Sequence, residues 1–370
     1  MFVVFFKIVV FMPVSLCCSR LYLQSLLLLV VTVQSPAVLA EDFITSNGFH
    51  PIKALFGFPY SRLEPLAADG VGVKGSGTKR GGASNSQLSV QLDFSNIFSG
   101  GSRDGELLVF DGESTRVSLS YQQQISSCLA FGVDLPFVTH QPGSLDQFIE
   151  TWHDTFGLPN ANREDSPRDQ LQFTYQDEAS SQQLSLDAAT AALGDIQLQG
   201  AYRAGCLNAI AGLGSSILSS SVVRLGLKLP TGSLDDFSGS EEFDFFLDLT
   251  LPRFSLTDGI GFRASGGFLI PGGVATFERL ESQVLFATTA FTFKPRFLTK
   301  RGLDLITQLD FTTALFDSGL RELGAFSTQL GVGGGWQLSP RQRWEIAFLE
   351  DIGVDTAPDF VFHLRYQNRW

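Results

Sequence analysis

The sequence predicts an all-β protein: a transmembrane antiparallel up-and-down β-barrel of about 12 strands, with one short helix in a long outer loop. Three observations lead to this fold class. Apolar and polar residues alternate over segments of about 9–11 residues, the length of a tilted strand that crosses a bilayer. The connections between these segments are mostly long and short in turn. The chain also ends on such a segment, DFVFHLRYQNRW, with Trp370 as its last residue.

Residues 1–40 are predicted to be a secretory signal peptide that is removed on export. Their two charged residues are Lys7 and Arg20, and small residues follow a long apolar run at their end. The apolar run Phe2–Phe11 makes this signal long, and a chain that starts at Met12 would carry a better proportioned one. An uncleaved anchor is the alternative, but Phe2–Phe11 is short and Lys7 interrupts it.

Composition excludes several classes of protein. The chain has 26 basic and 38 acidic residues and a formal net charge of −12, whereas nucleic-acid binding needs a basic surface. After residue 40 no apolar run approaches the roughly 18 residues of a transmembrane helix. Yet the chain contains 34 Phe. So many aromatic residues without a continuous apolar segment indicate that alternation disperses them, as in a barrel surrounded by outer-membrane lipid and lipopolysaccharide.

The exported chain is predicted to have two parts. Residues 41–86 show no sustained period, and their second half, GVGVKGSGTKRGGASNS, is typical of a flexible connector. We expect residues 41–86 to form a periplasmic segment or a plug in the lumen. Residues 87–370 are expected to form the barrel, because the alternating segments begin there.

Twelve alternating segments follow, and the apolar face of each is predicted to point to lipid. They are Leu88–Phe94, Val117–Tyr121, Leu129–Leu135, Ile196–Tyr202, Val223–Leu229, Phe243–Leu251, Gly259–Leu269, Leu285–Phe293, Leu303–Phe311, Leu330–Trp336, Trp344–Phe348 and Phe360–Trp370. The longest predicted loops, Ser99–Glu113 and His140–Ala191, are assigned to the outer side. Within the second, Gln170–Gln176 and Gln182–Leu186 form a further hairpin, and the count becomes 14 if that hairpin crosses the membrane.

The opposite faces carry charges of both signs. They are predicted to line the lumen, because a charge on the lipid face costs a few kcal/mol near the bilayer midplane. The lumen-lining candidates are Arg116, Asp134, Asp195, Arg203, Arg224, Lys228, Asp244, Asp248, Asp304, Asp310, Glu345, His363 and Arg365. A soluble β-sandwich shows the same alternation but does not need long and short connections in turn. Gly331 and Gly333–Gly335 lie in one strand, where we expect a bend or the close approach of a lumenal segment.

The longest loop contains the predicted helix, in the stretch GSLDQFIETWHDTFGLP. Ser144 and Gln147 have the spacing of a capping box, and Gly157 with Pro159 is expected to end the helix. Leu145, Phe148, Ile149, Trp152 and Phe156 fall on one face, which favours a helix that packs on the barrel mouth over one that acts as a gate or ligand lid. Phe148, Trp152, His153 and Asp154 are the candidate residues of this loop helix.

Catalytic chemistry has little support. The local candidates for a nucleophile and a base are Ser144, His140, His153 and Asp154. His153 and Asp154 point about 100° apart on a helix and are not a ready pair, so no catalytic residue is assigned. No two His residues have ligand spacing, so we predict no metal site, and nothing indicates a cofactor. A group of acidic loop residues could bind divalent cations that bridge to lipopolysaccharide, but the simpler interpretation is that they keep the loops solvated. These residues are Glu164, Asp165, Asp169, Asp235, Asp236, Glu241 and Glu242.

Two cysteines and the C-terminal strand give further expectations. In a 12-strand register, Cys128 and Cys206 lie at the same periplasmic rim on neighbouring strands, which predicts Cα atoms within about 7 Å. Two additional strands would separate them. The C-terminal barrel signal consists of Phe362, Leu364, Tyr366 and Trp370, and we expect the barrel-assembly machinery to recognise it.

One family resemblance appears in the longest loop. The stretch FIETWHDTFGLPNANREDSPRDQLQFTY, with LVFDGESTRVSLSY before it and GLKLPTGS after it, resembles a Gram-negative outer-membrane family, domain-of-unknown-function family 3187. The resemblance runs from about Gln87 to the C-terminus and implies a barrel without implying a function or catalytic residues. The order of GDIQLQGAYR and LKLPTG is also similar to outer-membrane barrels linked to aromatic-compound uptake.

The sequence therefore predicts an outer-membrane barrel of a Gram-negative bacterium that passes or binds a small solute, without naming the solute. Twelve strands are intermediate between the filled barrels of 8 strands and the open channels of 16 to 18. Two alternatives stay open: a non-conducting structural or recognition barrel, and an enzyme that acts on lipid at the barrel rim.

Overall fold

The computed structural model describes residues 43–44, 51–59, 86–157, 166–206, 217, 220–273, 277–352 and 358–370. The predicted signal peptide, residues 1–40, lies outside the described residues. The helices are α1 Pro51–Ala54, α2 Asp146–Phe156, α3 Arg296–Thr299 and α4 Arg321–Gly324. The strands are β1 Ser86–Arg103, β2 Glu106–Gln124, β3 Leu129–Gln141, β4 Gln172–Asp177, β5 Gln182–Leu186, β6 Thr190–Leu193, β7 Gln197–Arg203, β8 Val222–Lys228, β9 Asp244–Thr250, β10 Phe254–Thr257, β11 Ile260–Ile270, β12 Val284–Phe293, β13 Leu303–Thr312, β14 Ser327–Ser339, β15 Gln342–Asp351 and β16 Phe360–Arg369.

Twelve strands form a closed antiparallel barrel, as predicted. The order is β1, β2, β3, β7, β8, β9, β11, β12, β13, β14, β15 and β16, and β16 pairs again with β1. The closing pair runs from Gln87 opposite Arg369 to Asn96 opposite Phe360. Strands β6 and β7 both pair with the same edge of β3, so together they form one wall strand with a break between them. Closure pairs the terminal strands β1 and β16 of the wall with each other, as a membrane-spanning sheet requires.

Most wall strands have an apolar face outside and a polar face inside. In β1, Leu88 and Val90 are exposed on the outer surface, whereas Gln91 and Asp93 are buried inside. The same alternation continues in β15, where Ile346 and Phe348 are exposed and Glu345 is buried. The outer surface therefore suits the hydrocarbon of a bilayer. Within the described ranges, no helix is long and apolar enough to cross a membrane.

The two ends of the barrel differ. At the inner end lie Ser86, Trp370 and short turns such as the one between β14 and β15, and at the outer end lie the long connections. The predicted loop Ser99–Glu113 is wrong, because β1 and β2 continue through it as a hairpin. Asp104 and Gly105 make its two-residue turn with φ values of 51° and 83°. An Asp-Gly turn with positive φ at both positions connects strands tightly, so a polar sequence here still forms a hairpin.

The hairpin of β4 and β5 does not enlarge the barrel. Strand β4 pairs with the outer part of β2, from Glu106 opposite Asp177 to Asp111 opposite Gln172. The pairing of β2 with β3 begins only below this, at Glu113 opposite Gln141. The hairpin thus extends the wall above its outer end and does not cross the membrane, which excludes the 14-strand alternative.

Candidate functional site in the barrel lumen

The predicted lumen-lining residues lie on the inner face of the wall. Twelve of them are buried: Arg116, Asp134, Asp195, Arg224, Lys228, Asp244, Asp248, Asp304, Asp310, Glu345, His363 and Arg365. Arg203, at the end of β7, is half-buried. Their burial inside a closed wall requires partners, because an unpaired charge in such a place is unfavourable. The partners come largely from neighbouring strands.

Cross-strand ion pairs neutralise much of this inner face. Arg224 lies directly opposite Asp248 in the register of β8 and β9, and its Nε donates to Oδ1 at 3.0 Å. Arg343 binds both carboxylate oxygens of Asp304, each at 2.8 Å. Two-point pairing of this kind fixes the geometry of the guanidinium group as well as its charge. The wall is therefore polar and rigid with little uncompensated charge.

His363 joins three strands of the wall. Its Nδ1 lies 2.7 Å from Oδ1 of Asp93, the residue opposite it on β1, and its Nε2 lies 3.0 Å from Oε1 of Glu345 on β15. One imidazole ring thus serves as the hydrogen-bond partner of two buried carboxylates on the inner face. This cluster sits where β16 closes the barrel against β1.

The described residues 51–59 lie inside the lumen. We call this stretch with residues 43–44 the N-terminal segment. Ile52, Leu55, Phe56 and Phe58 are buried in an apolar cluster with side chains of the wall and the outer loops. Phe56 packs edge-on against two loop rings, with centroids 5.9 Å from that of Phe277 and 6.2 Å from that of Phe316. Aromatic pairs at such distances prefer edge-to-face geometry, so Phe56 joins the segment to the outer loops through an aromatic cluster.

Lys228 binds the N-terminal segment to the wall. Its Nζ donates to the carbonyl oxygen of Leu55 at 2.7 Å and to Asp195 Oδ2 at 2.6 Å, and it lies 3.1 Å from Asp244 Oδ2. The same oxygen of Asp244 accepts a hydrogen bond from the backbone N–H of Gly57 at 2.7 Å. One lysine and two carboxylates, all buried in the wall, thereby hold two backbone groups of the segment. We call Lys228, Asp195 and Asp244 the latch.

Phe43 and Ile44 make a second contact deeper along the wall. The side chain of Gln308 accepts from the backbone N–H of Ile44 at 2.9 Å and donates to its carbonyl oxygen at 3.2 Å. A Cβ atom on Gly331 would stand 2.9 Å from Cδ1 of Ile44. Gly331 therefore lies where the segment comes close to β14, and close approach is one of the two roles expected from the glycines of this strand.

Ion pairs at the outer end tie the β4–β5 hairpin to the barrel. Arg279 Nε donates to Asp177 Oδ2 at 3.0 Å, and its Nη1 lies 3.6 Å from Glu106 Oε2. Burial raises the pKa of Tyr175, and the nearby carboxylate of Glu106 raises it further. Burial alone would raise the pKa of Asp177, but hydrogen bonds from Arg279 and from a serine hydroxyl lower it. Asp177 is therefore a charged partner of Arg279.

Helix α2 corrects two predictions. The capping box is wrong: Ser144 is not the N-cap, and its hydroxyl donates instead to Oε2 of Glu113 at 3.1 Å. The same carboxylate accepts the backbone N–H groups of Ser144 and Leu145, so Glu113 on β2 takes the role of the cap. Gly157 ends the helix with φ 70°, as expected, and Pro159 lies outside the described residues.

The helix does not pack on the barrel mouth. Its contacts are to side chains on the outer surface: Asp146 accepts from Asn96 at 3.3 Å, and His153 Nε2 lies 3.1 Å from Glu350 Oε1. Asn96 and Glu350 are at even-numbered positions, like the lipid-facing residues of β1 and β15, and so lie on the outer face of the wall. His153 thus pairs with Glu350 and not with the exposed Asp154. The buried side chains include Asp146, Glu150 and His153 together with Ile149, so the helix packs mainly through polar residues, and Ile149 is a buried member of the predicted apolar face.

Another Ser–His contact lies in the wall. Ser114 Oγ is 2.7 Å from Nδ1 of His140, and Nε2 of His140 is 3.2 Å from the carbonyl oxygen of Phe237. Since a carbonyl only accepts, Nε2 carries the proton and Nδ1 accepts from the serine. Both side chains are buried, and the rings of Phe173 and Phe237 pack against His140. A substrate carbonyl has no room at this serine.

The cysteines and the C-terminus lie at the inner end. Cys128 and Cys206 form a disulfide with their Cα atoms 6.0 Å apart. Phe362, Leu364 and Tyr366 lie on the lipid-facing parity of β16. Trp370 exchanges two backbone hydrogen bonds with Ser86, and its ring centroid lies 6.4 Å from that of Tyr121. The last aromatic residue therefore closes the barrel at its inner rim.

Some site residues were not found from the sequence. The contacts of Lys53, Phe56, Gln308 and Arg343 depend on which strands and segments meet. A signal existed for α1, since Pro51 is at a first helical position and apolar residues follow at helical spacing. No group of three or more His, Cys, Asp or Glu in the described part of the chain is arranged to hold a metal. The predicted acidic residues Glu164 and Asp165 lie outside that part.

The family model of a protein of unknown function (DUF3187) matches residues 75–370. The chain belongs to this family. A search of curated proteins found no match to this DUF3187 protein. Among solved structures, it is similar to the COG4313 outer membrane channel from Pseudomonas putida F1, with 14% identity over 80% of this chain and 99% of that chain and a TM-score of 0.47. It is also similar to the Pseudomonas putida toluene transporter TodX (10% identity, 89% of this chain and 98% of that chain, TM-score 0.33) and to the NanC porin (8% identity, 76% and 98%, TM-score 0.38).

Proposed function

We propose that this DUF3187 protein is a gated outer-membrane channel for a small solute, and that its N-terminal segment is the gate. The observation that carries the proposal is the latch, where Lys228 and Asp244 bind the backbone of the segment from inside a closed wall. The segment contributes no strand to the barrel. It can therefore leave the lumen without breaking any hydrogen bond between strands.

The free energies involved support a reversible gate. Burial of the four apolar side chains of residues 52–58 contributes about 1.5–3 kcal/mol each. Ordering the backbone of residues 51–59 costs about 1–2 kcal/mol per residue. The ordering cost therefore opposes the apolar burial and the latch hydrogen bonds, which contribute about 1 kcal/mol each. A solute that competes for the same apolar cluster would favour release of the segment.

A non-conducting structural or recognition barrel is the second candidate. It is favoured by the aromatic cluster, in which Phe56 packs between loop residues and seals the outer half of the lumen. In that case residues 41–86 would serve only to stabilise the barrel. An enzyme that acts on lipid at the rim has less support, because His153 pairs with Glu350 and the Ser114–His140 contact is buried.

The proposal also names partners. The exposed apolar band is suited to outer-membrane lipid and lipopolysaccharide, and the C-terminal strand, which ends in Trp370, is suited to recognition by the barrel-assembly machinery. The solute is defined only as small and able to pass a lumen with a polar wall and an aromatic outer half.

Single-channel recording in planar bilayers tests the gate. The purified mature chain is expected to stay mostly closed with brief openings. Replacing Phe56 with Ser removes about 3 kcal/mol of docking free energy, which raises the ratio of open to closed channels by about a hundredfold. The matched control is Phe297→Ser, because Phe297 is 67% exposed at the inner end and lies outside the cluster.

The outcomes separate the two candidates. Openings that become frequent in Phe56→Ser and not in Phe297→Ser support the gated channel. If both variants show the boiling-dependent gel mobility of a folded barrel and neither conducts, the channel is ruled out and the structural barrel stands.

A further inference from the structure

Helix α2 has an orientation that water would not favour. Its buried residues include Ile149 and the polar Asp146, Glu150 and His153, whereas the aromatic residues Phe148 and Trp152 are 48% exposed and partly exposed, respectively. The buried polar side chains are bonded: Glu150 pairs with Arg168, and Asp146 accepts the backbone N–H of Asp169 as well as the amide of Asn96. In water the aromatic side chains would be the ones to bury. The bonded polar face fixes the helix so that Phe148 and Trp152 lie on the outer surface of the protein, partly exposed.

The exposed rings of α2 continue the lipid-facing surface. Phe148 and Trp152 pack against Phe360, with centroids 6.1 Å and 6.5 Å from it. Phe360 in turn lies 5.7 Å from Phe348, which is 5.5 Å from Phe362. These residues form one aromatic stripe that runs from the helix down the outer wall.

The aromatic residues at the two ends of the outer surface are distributed unequally. At the inner end the lipid-facing Tyr and Trp residues are Tyr121, Tyr202, Trp336, Trp344, Tyr366 and Trp370. At the outer end of the described strands no Tyr or Trp faces lipid, and Trp152 of α2 is at that level. Barrels carry aromatic girdles at both membrane interfaces. Trp152 of the helix therefore supplies an interfacial aromatic residue at the outer end, where the described strands have no lipid-facing Tyr or Trp.

The spacing of the two girdles agrees with a membrane. Phe360 and Trp370 are ten residues apart on the last strand, which is roughly 33 Å along an extended chain. At the usual tilt of about 40° this gives a height of about 25 Å, the height of the apolar band of outer-membrane barrels. Trp152, beside Phe360, is thus at the depth where the second interface should lie.

We propose that α2 is an interfacial anchor that inserts Phe148 and Trp152 into the outer leaflet, at the boundary between headgroups and acyl chains. The occupant of this surface is bilayer lipid. A helix in this position is held from below by apolar contact with lipid and from inside by its polar bonds to the wall. The proposal requires a membrane-embedded barrel and does not depend on whether the barrel conducts.

Depth-dependent quenching of Trp152 fluorescence tests the anchor. A variant with Trp336, Trp344 and Trp370 each replaced by Phe leaves Trp152 as the single Trp of the exported chain. In phosphatidylcholine vesicles that contain lipids brominated at carbons 6 and 7, its emission is expected to fall to about half or less. Aqueous iodide is expected to quench it weakly. The matched control retains Trp344 instead, which faces lipid at the inner end.

Two results would overturn the anchor. Quenching of Trp152 by iodide, with none by brominated lipid while Trp344 is quenched, would place the helix in water. A difference spectrum between wild type and Trp152→Phe gives the same information if the triple variant does not fold. If brominated lipid, at any bromine depth, leaves the Trp152 emission in that difference spectrum unchanged, lipid contact is equally contradicted.

Discussion

Lys53 of α1 lies in the outer part of the lumen, and its environment changes its proton affinity. Burial lowers its pKa from 10.5 to about 8, with attraction from Asp351 opposing the shift. The released segment holds Lys53 in water, so the released state binds more protons between pH 8 and 10.5. Docking therefore strengthens as the pH rises through this range and is weakest, and constant, below it.

This sign gives a pH prediction for the gate. The open probability of the channel should be constant below about pH 7.5 and fall above pH 8, by at most about tenfold per pH unit because one proton is involved. Recordings at pH 7 and 9.5 measure the change, with Lys53→Met as the matched variant. We expect no fall in Lys53→Met. A fall of equal size in both proteins would assign the effect to another group.

At the same scale, the sequence predicted positions better than contacts. Alternation placed Arg116, Arg224 and Lys228 on the inner face, because in a strand the face of a residue depends only on whether its position is odd or even. It did not predict that Lys228 binds the carbonyl oxygen of Leu55, since that contact joins residues 173 positions apart. Nor did it predict the lowered pKa of Lys53, because that shift depends on the docking of α1 inside the lumen.

The β4–β5 hairpin shows how an outer element is held. Arg279 is the cation between the buried carboxylates of Asp177 and Glu106. Replacing Arg279 with Ala leaves both acids without that partner. This should lower the free energy of opening the hairpin by about 1–3 kcal/mol and leave the stability of the barrel unchanged. Limited proteolysis with proteinase K on vesicles should then cut the region 166–190 roughly tenfold faster or more, with the barrel fragment intact.

Arg103→Ala is the matched control for Arg279→Ala. Arg103 pairs with Asp104, and both side chains are more than half exposed, so this pair contributes about 0–1 kcal/mol. Its cleavage rate should match wild type. Equal rates in Arg279→Ala and wild type would show that strand pairing with β2 alone holds the hairpin.

The elements also show where a sequence pattern stops being informative. An amphipathic period located α2 correctly, but the buried face could not be inferred from it, because the pattern does not say whether the surroundings are water or lipid. The hairpin of β4 and β5 was located as well, yet its level relative to the membrane depends on β2 being 19 residues long. The Asp-Gly turn at Asp104 was the local signal that this strand extends beyond the bilayer.

For the molecule as a whole, the strands that pair differ in the length of chain that links them. Apart from the closing pair of β1 and β16, the longest link joins β3 to β7 and contains α2 and the β4–β5 hairpin. Pairing across a long link forms slowly, because the loop must close before its contacts stabilise it. The disulfide between Cys128 and Cys206 joins this pair at the inner end, across 78 residues.

This placement predicts that the disulfide affects assembly and stability together. Loop-closure entropy for 78 residues gives an upper limit of about 4–5 kcal/mol, and the paired strands around it reduce the effect. Cys128→Ser/Cys206→Ser should refold into detergent micelles more slowly and lose its unheated gel mobility at a temperature several degrees lower. Dithiothreitol should shift wild type to the same values and leave the double variant unchanged. A wild type that does not respond to dithiothreitol would mean that the disulfide contributes nothing to the strand pair it joins.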